Sequence, residues 1–412
     1  MFSVVIRCRK AIIHGGRTLR CFGSVVTDPQ DQIQYFGRKR QTNVSLRALL
    51  DTGNGSLVDK DGFAAAPAGA TATEKVLIQV ACFLHRELPV RLAHRACELE
   101  GTDLFKNSKS IMGVCNWYKT SFQELRTCPA PVNMEKEAIF SKTIESIYER
   151  HSATLITMAK GAHEIRSVLQ QDVASFAEHQ QVQKKLDDFY MSRIGIRMLI
   201  GQYLALRKPQ GDPNMVGLIS TRASPFDIAQ QAIADAAYMC TRTHGDAPEV
   251  TIHGRTDLTF PYVSSHISYI LLELLKNSMR ATVETHGVDK MPRIRVIIAD
   301  GEDNEDVVIK VSDEGGGIKR SNMNRIWSYL YTTADPAVLD RLLGSSSNVD
   351  GSDSDGVQDT DAASPLAGLG YGLPLSRNYA RYFGGELTIM SMEGYGTDGS
   401  LYLPRLKVKK TV

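Results

Sequence analysis

No uninterrupted apolar run in the 412 residues reaches the roughly 18 needed for a bilayer-spanning helix, so no membrane span is expected. Seven cysteines (Cys8, Cys21, Cys82, Cys97, Cys115, Cys128 and Cys240) never fall in CxxC spacing. That excludes a zinc ribbon and a disulfide framework, and fits a reducing compartment. An excess of one charge sign is also missing: the formal net charge of +2 leaves no overall footprint for nucleic acid as a partner. What is present is a hydrophobic content of 42%, enough over this length for two cored domains.

Acidic residues are absent locally as well. Before Asp28 the chain carries Arg7, Arg9, Lys10, Arg17 and Arg20 with interleaved Phe2, Val4, Ile6, Ile12 and Leu19, and no Asp or Glu. An Arg-rich, acid-free, amphipathic leader has the composition of a mitochondrial transit peptide, so residues 1–27 are set apart from the fold. Beyond it, helical periodicity dominates to about residue 207. One helix begins at Lys75, and Pro89 is expected to end or kink it. Further amphipathic stretches cover Trp117 to Leu125, one long run from Glu135 to Asp172, and Val182 to Leu206. A bundle of about four helices over residues 40–207 is the natural reading.

The linker Lys208-Pro209-Gln210-Gly211-Asp212-Pro213 then precedes a change of pattern. Phe226 to Thr241 reads as helix. Arg293 to Ala299 and Asp306 to Ser312 are β-branched runs on either side of Asp300-Gly301, which predicts a hairpin. Glu386 to Met392 and Ser400 to Pro404 read as final strands. Residues 214–406 are therefore expected to form an α+β domain, helices packed on a largely antiparallel sheet. Between them, residues 344–364 are Ser/Asp/Gly-rich without Lys or Arg, too polar to offset their ordering entropy, and are expected to be disordered.

Three stretches carry chemistry. In the apolar helix from Ile267, Glu273, Asn277 and Arg280 fall at i, i+4 and i+7 on one face. Such groups are costly to bury without partners; they face either a polar ligand or a ladder of hydrogen bonds to another helix. Ser312-Asp313-Glu314-Gly315-Gly316-Gly317 ends a strand and is either a tight turn or a place where a ligand approaches the backbone closely, with Asp313 accepting from an exocyclic amine. Gly368-Leu369-Gly370-Tyr371-Gly372-Leu373 opens a helix and is either a plain connector or a phosphate cradle. It is not a P-loop, since no Gly-Lys-[Ser/Thr] follows, and no βαβ unit frames a dinucleotide site.

Taken together, the E-x-x-x-N helix, the DxGxG turn, the polar insertion, the GxGxG turn and Gly396-Thr397 resemble the ordered signature of the GHKL ATP-binding superfamily. The wording of Glu273-Leu-Leu-Lys-Asn-Ser-Met-Arg-Ala-Thr-Val-Glu284, Pro365-Leu-Ala-Gly-Leu-Gly-Tyr-Gly-Leu-Pro-Leu-Ser-Arg377, Glu87-Leu-Pro-Val-Arg-Leu-Ala93 and Ser192-Arg-Ile-Gly-Ile-Arg-Met-Leu199 resembles the mitochondrial pyruvate dehydrogenase kinases and their branched-chain relatives. The resemblance implies an N-terminal four-helix-bundle regulatory and lipoyl-docking domain, then a GHKL (Bergerat) α/β-sandwich kinase domain. It implies a homodimer in the mitochondrial matrix that transfers the γ-phosphoryl group of ATP, with Mg²⁺, to serine on the decarboxylase α subunit of a 2-oxo-acid dehydrogenase complex.

Carried over by the same resemblance, Glu273 is the general base and Asn277 the Mg²⁺ ligand, with Arg280 supporting the nucleotide. Asp313 reads the adenine amine, Gly315 and Gly317 leave room for the base, and Thr397 backs its pocket. Thr332 and Thr333, with Gly368, Leu369, Gly370, Tyr371, Gly372 and Leu373, contact nucleotide or phosphates. Arg193 and Arg197, one turn apart, either receive a small carboxylate effector or bridge helices.

The substrate complex stays divided. Tyr269, where pyruvate-type kinases usually carry His, matches the branched-chain type, as the missing C-terminal Asp-Trp separates the chain from some animal enzymes. Trp117-Tyr118, Ser328-Tyr-Leu-Tyr-Thr-Thr333 and Pro365-Leu-Ala-Gly368 look like the pyruvate type, which is the expectation kept. Two other classes stand beside it. A protein-histidine kinase would use His163-Glu164, although Val168 sits where that motif has Pro; a non-catalytic ATP-gated scaffold would lack the base or the metal ligand.

Overall fold

The computed structural model describes residues 28–55, 71–209, 211–301, 306–332 and 368–406. The basic leader at 1–27, Thr333 and the polar insertion at 344–364 lie outside the described residues. Among the described residues, helices come before any strand: α1 (Pro29–Gly37), α2 (Leu46–Gly53), α3 (Ala72–Gly101), α4 (Asp103–Lys106), α5 (Lys109–Thr127), α6 (Met134–Arg150), α7 (Thr154–Val168), α8 (Val173–Ala177) and α9 (Gln180–Arg207). Three of the long ones start at side-chain caps: Thr71 with Glu74 forms a capping box on α3, Ser108 caps α5 and Asn133 caps α6. They bury Leu84, Leu92, Phe122, Ile144, Leu186 and Phe189 in one apolar cluster.

Three features differ from the pattern in the sequence. The helical part begins before residue 40, because α1 seats Ile33 in the same core. Pro89 does not end its helix; α3 runs through it. The ring removes a donor and crowds the preceding turn, but Leu84, Leu88 and Leu92 are buried around it. Glu87 meanwhile accepts from the Thr42 backbone N–H and hydroxyl, each at 2.9 Å. Tertiary contacts outweigh the local penalty. Conversely, the single run expected from Glu135 to Asp172 is broken at His151, where the chain turns before α7. No Gly or Pro marks that break; His151 is buried against the Tyr118 ring at 4.5 Å, with Ser121 Oγ 3.0 Å from its Nε2.

After the linker, β1 (Met215–Val216), β2 (Ile219–Ala223) and β4 (Phe260–Tyr262) form a small antiparallel sheet that is too short to show in the residue pattern. The main sheet has the order β3-β5-β6-β8-β7, from β3 (Val250–Gly254), β5 (Ile294–Asp300), β6 (Asp306–Asp313), β7 (Glu386–Met392) and β8 (Gly396–Pro404). The expected hairpin is present, pairing Arg295 with Ser312 and Asp300 with Val307. Strand β3 runs parallel to β5, so the sheet is mixed. Along β5, Ile294, Val296 and Ile298 point inward and Arg295 and Ala299 outward, the period-2 pattern of a sheet covered on one face. Helices α10 (Pro225–His244), α11 (Ser264–His286) and α12 (Gly372–Tyr382) provide that cover. The two halves also share a core. Tyr329, Leu330, Leu369, Tyr371 and Leu375 of the second half are buried in the bundle's apolar cluster.

Candidate nucleotide site

Helix α11 lies on the sheet between α10 and α12, with Ile270, Leu271, Leu274 and Leu275 buried. Glu273 is buried on the same helix, and Lys276 Nζ donates to its Oε1 at 2.6 Å. Its other oxygen faces Gly372, the first residue of α12: a Cβ there would collide with Glu273 Oε2. Tyr371, preceding α12, gives no side-chain cap. The first-turn N–H groups of α12 therefore open beside the Glu273 carboxylate, with the positive end of the helix dipole behind them. Asn277, one turn from Glu273, is exposed. Arg280 donates to Glu284 at 2.7 Å on the same helix, so part of its guanidinium is already engaged.

Strand β6 ends in the buried Asp313. Its Oδ2 accepts from Ser278 Oγ at 2.7 Å, and its Oδ1 accepts from the N–H groups of Gly315 at 2.9 Å and Thr397 at 3.2 Å. A carboxylate offers about four acceptor positions, so three bonds leave room for roughly one more donor. Burial raises the Asp313 pKa above the usual carboxylate value against these hydrogen bonds. Gly315 passes so close to α11 that a Cβ would lie 2.7 Å from that of Ala281; any side chain would push the turn off the helix. Gly317 similarly presses on the Met392 backbone, and Thr397 Oγ1 lies 2.9 Å from Ser391 Oγ.

The glycine turn divides its residues by face. Leu369 and Tyr371 are wholly buried, Tyr371 against the rings of Tyr190 and Tyr329 at 5.7 and 5.3 Å. Their side chains belong to the core between the halves, so only their backbone is available to a ligand. Gly370, at φ +74°, lies against the Tyr331 backbone, which no side chain would permit. Thr332 closes the described segment next to it, and Leu373 is half-buried at the start of α12. Ser278 and Lys276 are additions that the motifs alone do not single out. Their only signal is position, a small hydroxyl and a cation within the E-x-x-x-N stretch.

In the bundle, Arg193 is buried, and its Nε has no hydrogen-bond partner among the described residues. Burial and Arg197 lower its pKa from the usual guanidinium value. The His163-Glu164 pair of α7 is engaged structurally: Glu164 accepts from Ser108 Oγ at 2.7 Å and Ser110 Oγ at 2.5 Å, tying down the start of α5.

A helix bearing a carboxylate and an amide, a buried strand-end Asp and an uncapped glycine turn, on a mixed sheet with helices on one face, define the class as a Bergerat-type ATP-binding domain, here joined to a helical bundle. Comparison with known families agrees on both halves. Residues 44–220 match the family model described as mitochondrial branched-chain alpha-ketoacid dehydrogenase kinase, and residues 262–407 match that described as histidine kinase-, DNA gyrase B-, and HSP90-like ATPase. The chain is 41% identical over 381 residues to a mitochondrial pyruvate dehydrogenase (acetyl-transferring) kinase of Arabidopsis thaliana, covering 91% of this chain and 94% of that protein. It is 37% identical over 402 residues to a probable kinase of the same name from Caenorhabditis elegans, covering 95% and 89%. The human isozyme 4 is 33% identical over 389 residues, covering 91% and 84%. The chain belongs to the mitochondrial 2-oxo-acid dehydrogenase kinase family, with an ATP-binding domain of GHKL type.

Proposed function

We propose that the protein is a MgATP-dependent protein-serine kinase that phosphorylates and inactivates the decarboxylase α subunit of the pyruvate dehydrogenase complex in the mitochondrial matrix. The observation that carries this reading is the Glu273 carboxylate held beside the open N-terminus of α12. A phosphate seated on those N–H groups would lie next to a buried base. In the reaction the serine oxygen attacks the γ-phosphorus as Glu273 accepts its proton, and the bond to the bridging oxygen of ADP breaks. Lys276 orients the carboxylate until the hydroxyl replaces it. Phosphoryl transfer asks mainly for positioning and charge complementarity, and the glycine turn with the α12 dipole supplies both. Asp313 accepts from the adenine amine with its remaining lone pair; Gly315, Gly317 and Thr397 shape that end of the pocket, while Arg280, Thr332 and residues 368–373 line the phosphate path.

Among the described residues no cluster of three or more His, Cys, Asp or Glu could hold a metal. One exposed amide suits Mg²⁺, which keeps most of its waters and takes its other oxygens from phosphates. Asn277 would hold it, and the ion would neutralise phosphate charge.

The division of labour follows: residues 40–207 regulate and dock the lipoyl domain, and residues 214–406 bind ATP and transfer phosphate. A cavity of about 210 Å³, lined mainly by apolar residues such as Val44, Leu49, Phe83 and Leu199 with Asn43 and Gln79 among its polar ones, supports lipoyl-arm docking. Buried, underbonded Arg193 supports binding of a small oxo-acid effector with Arg197. Edge strand β7 exposes Met390 and Met392, which supports a homodimer through this side of the sheet.

The second reading is the same reaction on the branched-chain complex, favoured by Tyr269 and by the name of the family model over residues 44–220. Side-by-side phosphorylation of the two purified decarboxylases separates them; faster transfer to the branched-chain subunit would reverse the assignment. Acid-labile phosphate on the kinase itself would instead favour a histidine kinase, and ATP binding without transfer to any protein a scaffold.

A further inference from the structure

Helix α9 reaches the nucleotide site by successive turns. Gln183 brackets the backbone of Tyr329: the Tyr329 N–H donates to its Oε1 at 2.7 Å, and its Nε2 donates to the Tyr329 carbonyl at 3.3 Å. One turn later, Asp187 Oδ1 accepts from the Tyr329 hydroxyl and from Asn378 Nδ2, both at 2.9 Å. The Asn378 amide also donates to the Tyr329 hydroxyl at 2.9 Å. Tyr329 precedes the 333–367 segment, and Asn378, on α12, follows it. A single bundle carboxylate thus ties together two stretches brought to it across 142 and 191 residues of chain.

A second observation lies next to this knot. Leu330 is wholly buried at φ +65°, left-handed backbone that a branched residue avoids. Such strain persists only where neighbouring contacts over-determine it. The bonds on Tyr329 do so, and they set where Tyr331 lies. The Tyr331 backbone is the wall against which Gly370 packs, and Gly372, two residues on, abuts Glu273. Position therefore passes from Asp187 through Tyr329 and Tyr331 to the glycine turn.

We propose that Asp187 is a positioning residue through which helix α9 of the bundle sets the nucleotide-binding turn 368–372. It touches no substrate itself. By linkage, anything that moves α9 changes ATP affinity, and ATP changes the affinity of whatever moves α9. The inference uses the ATP site only and stands whichever protein accepts the phosphate.

The test is MgATP binding by calorimetry on the full chain, with the melting temperature of each variant. Asp187→Ala is expected to weaken ATP binding about tenfold, as a displaced binding segment does, and to raise KM for ATP while leaving KM for the protein acceptor unchanged. Asp187→Asn keeps an acceptor oxygen and should bind ATP within about twofold of wild type. A folded Asp187→Ala that binds ATP normally overturns the proposal; so does an Asp187→Asn as weak as the alanine variant, or equal loss for both substrates. If Asp187→Ala fails to fold, Tyr329→Phe decides. It should weaken ATP binding about threefold or more, since both hydrogen bonds of the hydroxyl, to Asp187 and from Asn378, are lost, and unchanged affinity refutes the assignment. Wild-type protein that binds ATP but phosphorylates neither decarboxylase would sink the kinase reading and leave this measurement intact.

Discussion

Glu273, Lys276, Asn277 and Ser278 crowd four proposed roles into two helical turns, and each proposal can be tested by substitution. Glu273→Gln keeps the shape of the side chain and removes the base. Transfer to the decarboxylase should fall at least about 100-fold, as loss of a general base does, while MgATP affinity stays within about twofold; retained transfer would reject Glu273 as base. Two imidazoles give the acid response. His151 and His266 are buried, and burial lowers each pKa from 6.5 to about 3, with Arg150 adding to the effect at His151. Between those values the unfolded chain binds protons that the folded chain does not, so stability rises with pH there and falls on acidification. The slope is up to about 1.4 kcal/mol per pH unit for each histidine. His266 Nδ1 has no hydrogen-bond partner among the described residues, and its ring stacks on Phe383 at 5.8 Å. His266→Phe should therefore preserve stability at pH 7 and make the loss between pH 6.5 and 5 distinctly shallower in urea unfolding. An unaltered slope would show that His266 is not one of the titrating groups.

At the scale of elements, α3 is the clearest case of packing overruling local preference. Its Pro89 turn is held by Glu87, whose carboxylate also accepts from Arg91 Nε at 2.9 Å, both side chains being buried. Arg91 Nη2 in turn donates to the Thr42 carbonyl at 2.5 Å. Glu87→Ala would leave a buried guanidinium uncompensated and free the strand of chain before α2. A loss of about 3–5 kcal/mol is expected in urea unfolding, and a loss under 1 kcal/mol would mean the pair is dispensable. The polar stripe of α11 is legible because Glu273, Asn277 and Arg280 repeat at helical spacing within one apolar run. The β5–β6 hairpin is legible because a turn signal separates two β-branched runs. The α6–α7 break and the small β1-β2-β4 sheet are not, since one depends on packing of His151 and the others are two- to five-residue strands.

For the whole molecule, the shared core ties the helical bundle to the ATP-binding domain, while β7 is an edge strand among the described residues. Met390→Lys with Met392→Lys places charge on that edge. If the edge joins two copies, the double variant should sediment as a monomer at concentrations where the wild type is dimeric; an unchanged dimer would move the interface elsewhere.

The motifs whose resemblance indicates the kinase family and an ATP ligand are short and contiguous, so Glu273, Asn277 and Asp313 can be picked out from local sequence as candidates. Which side chains of the glycine turn face that ligand does not follow from spacing. Leu369 and Tyr371 are buried in the core, Tyr371 against Tyr190, and Asp187 meets Asn378 across 191 residues. Only folding brings such groups together, since their pairing depends on how two halves pack and leaves no periodic trace in either.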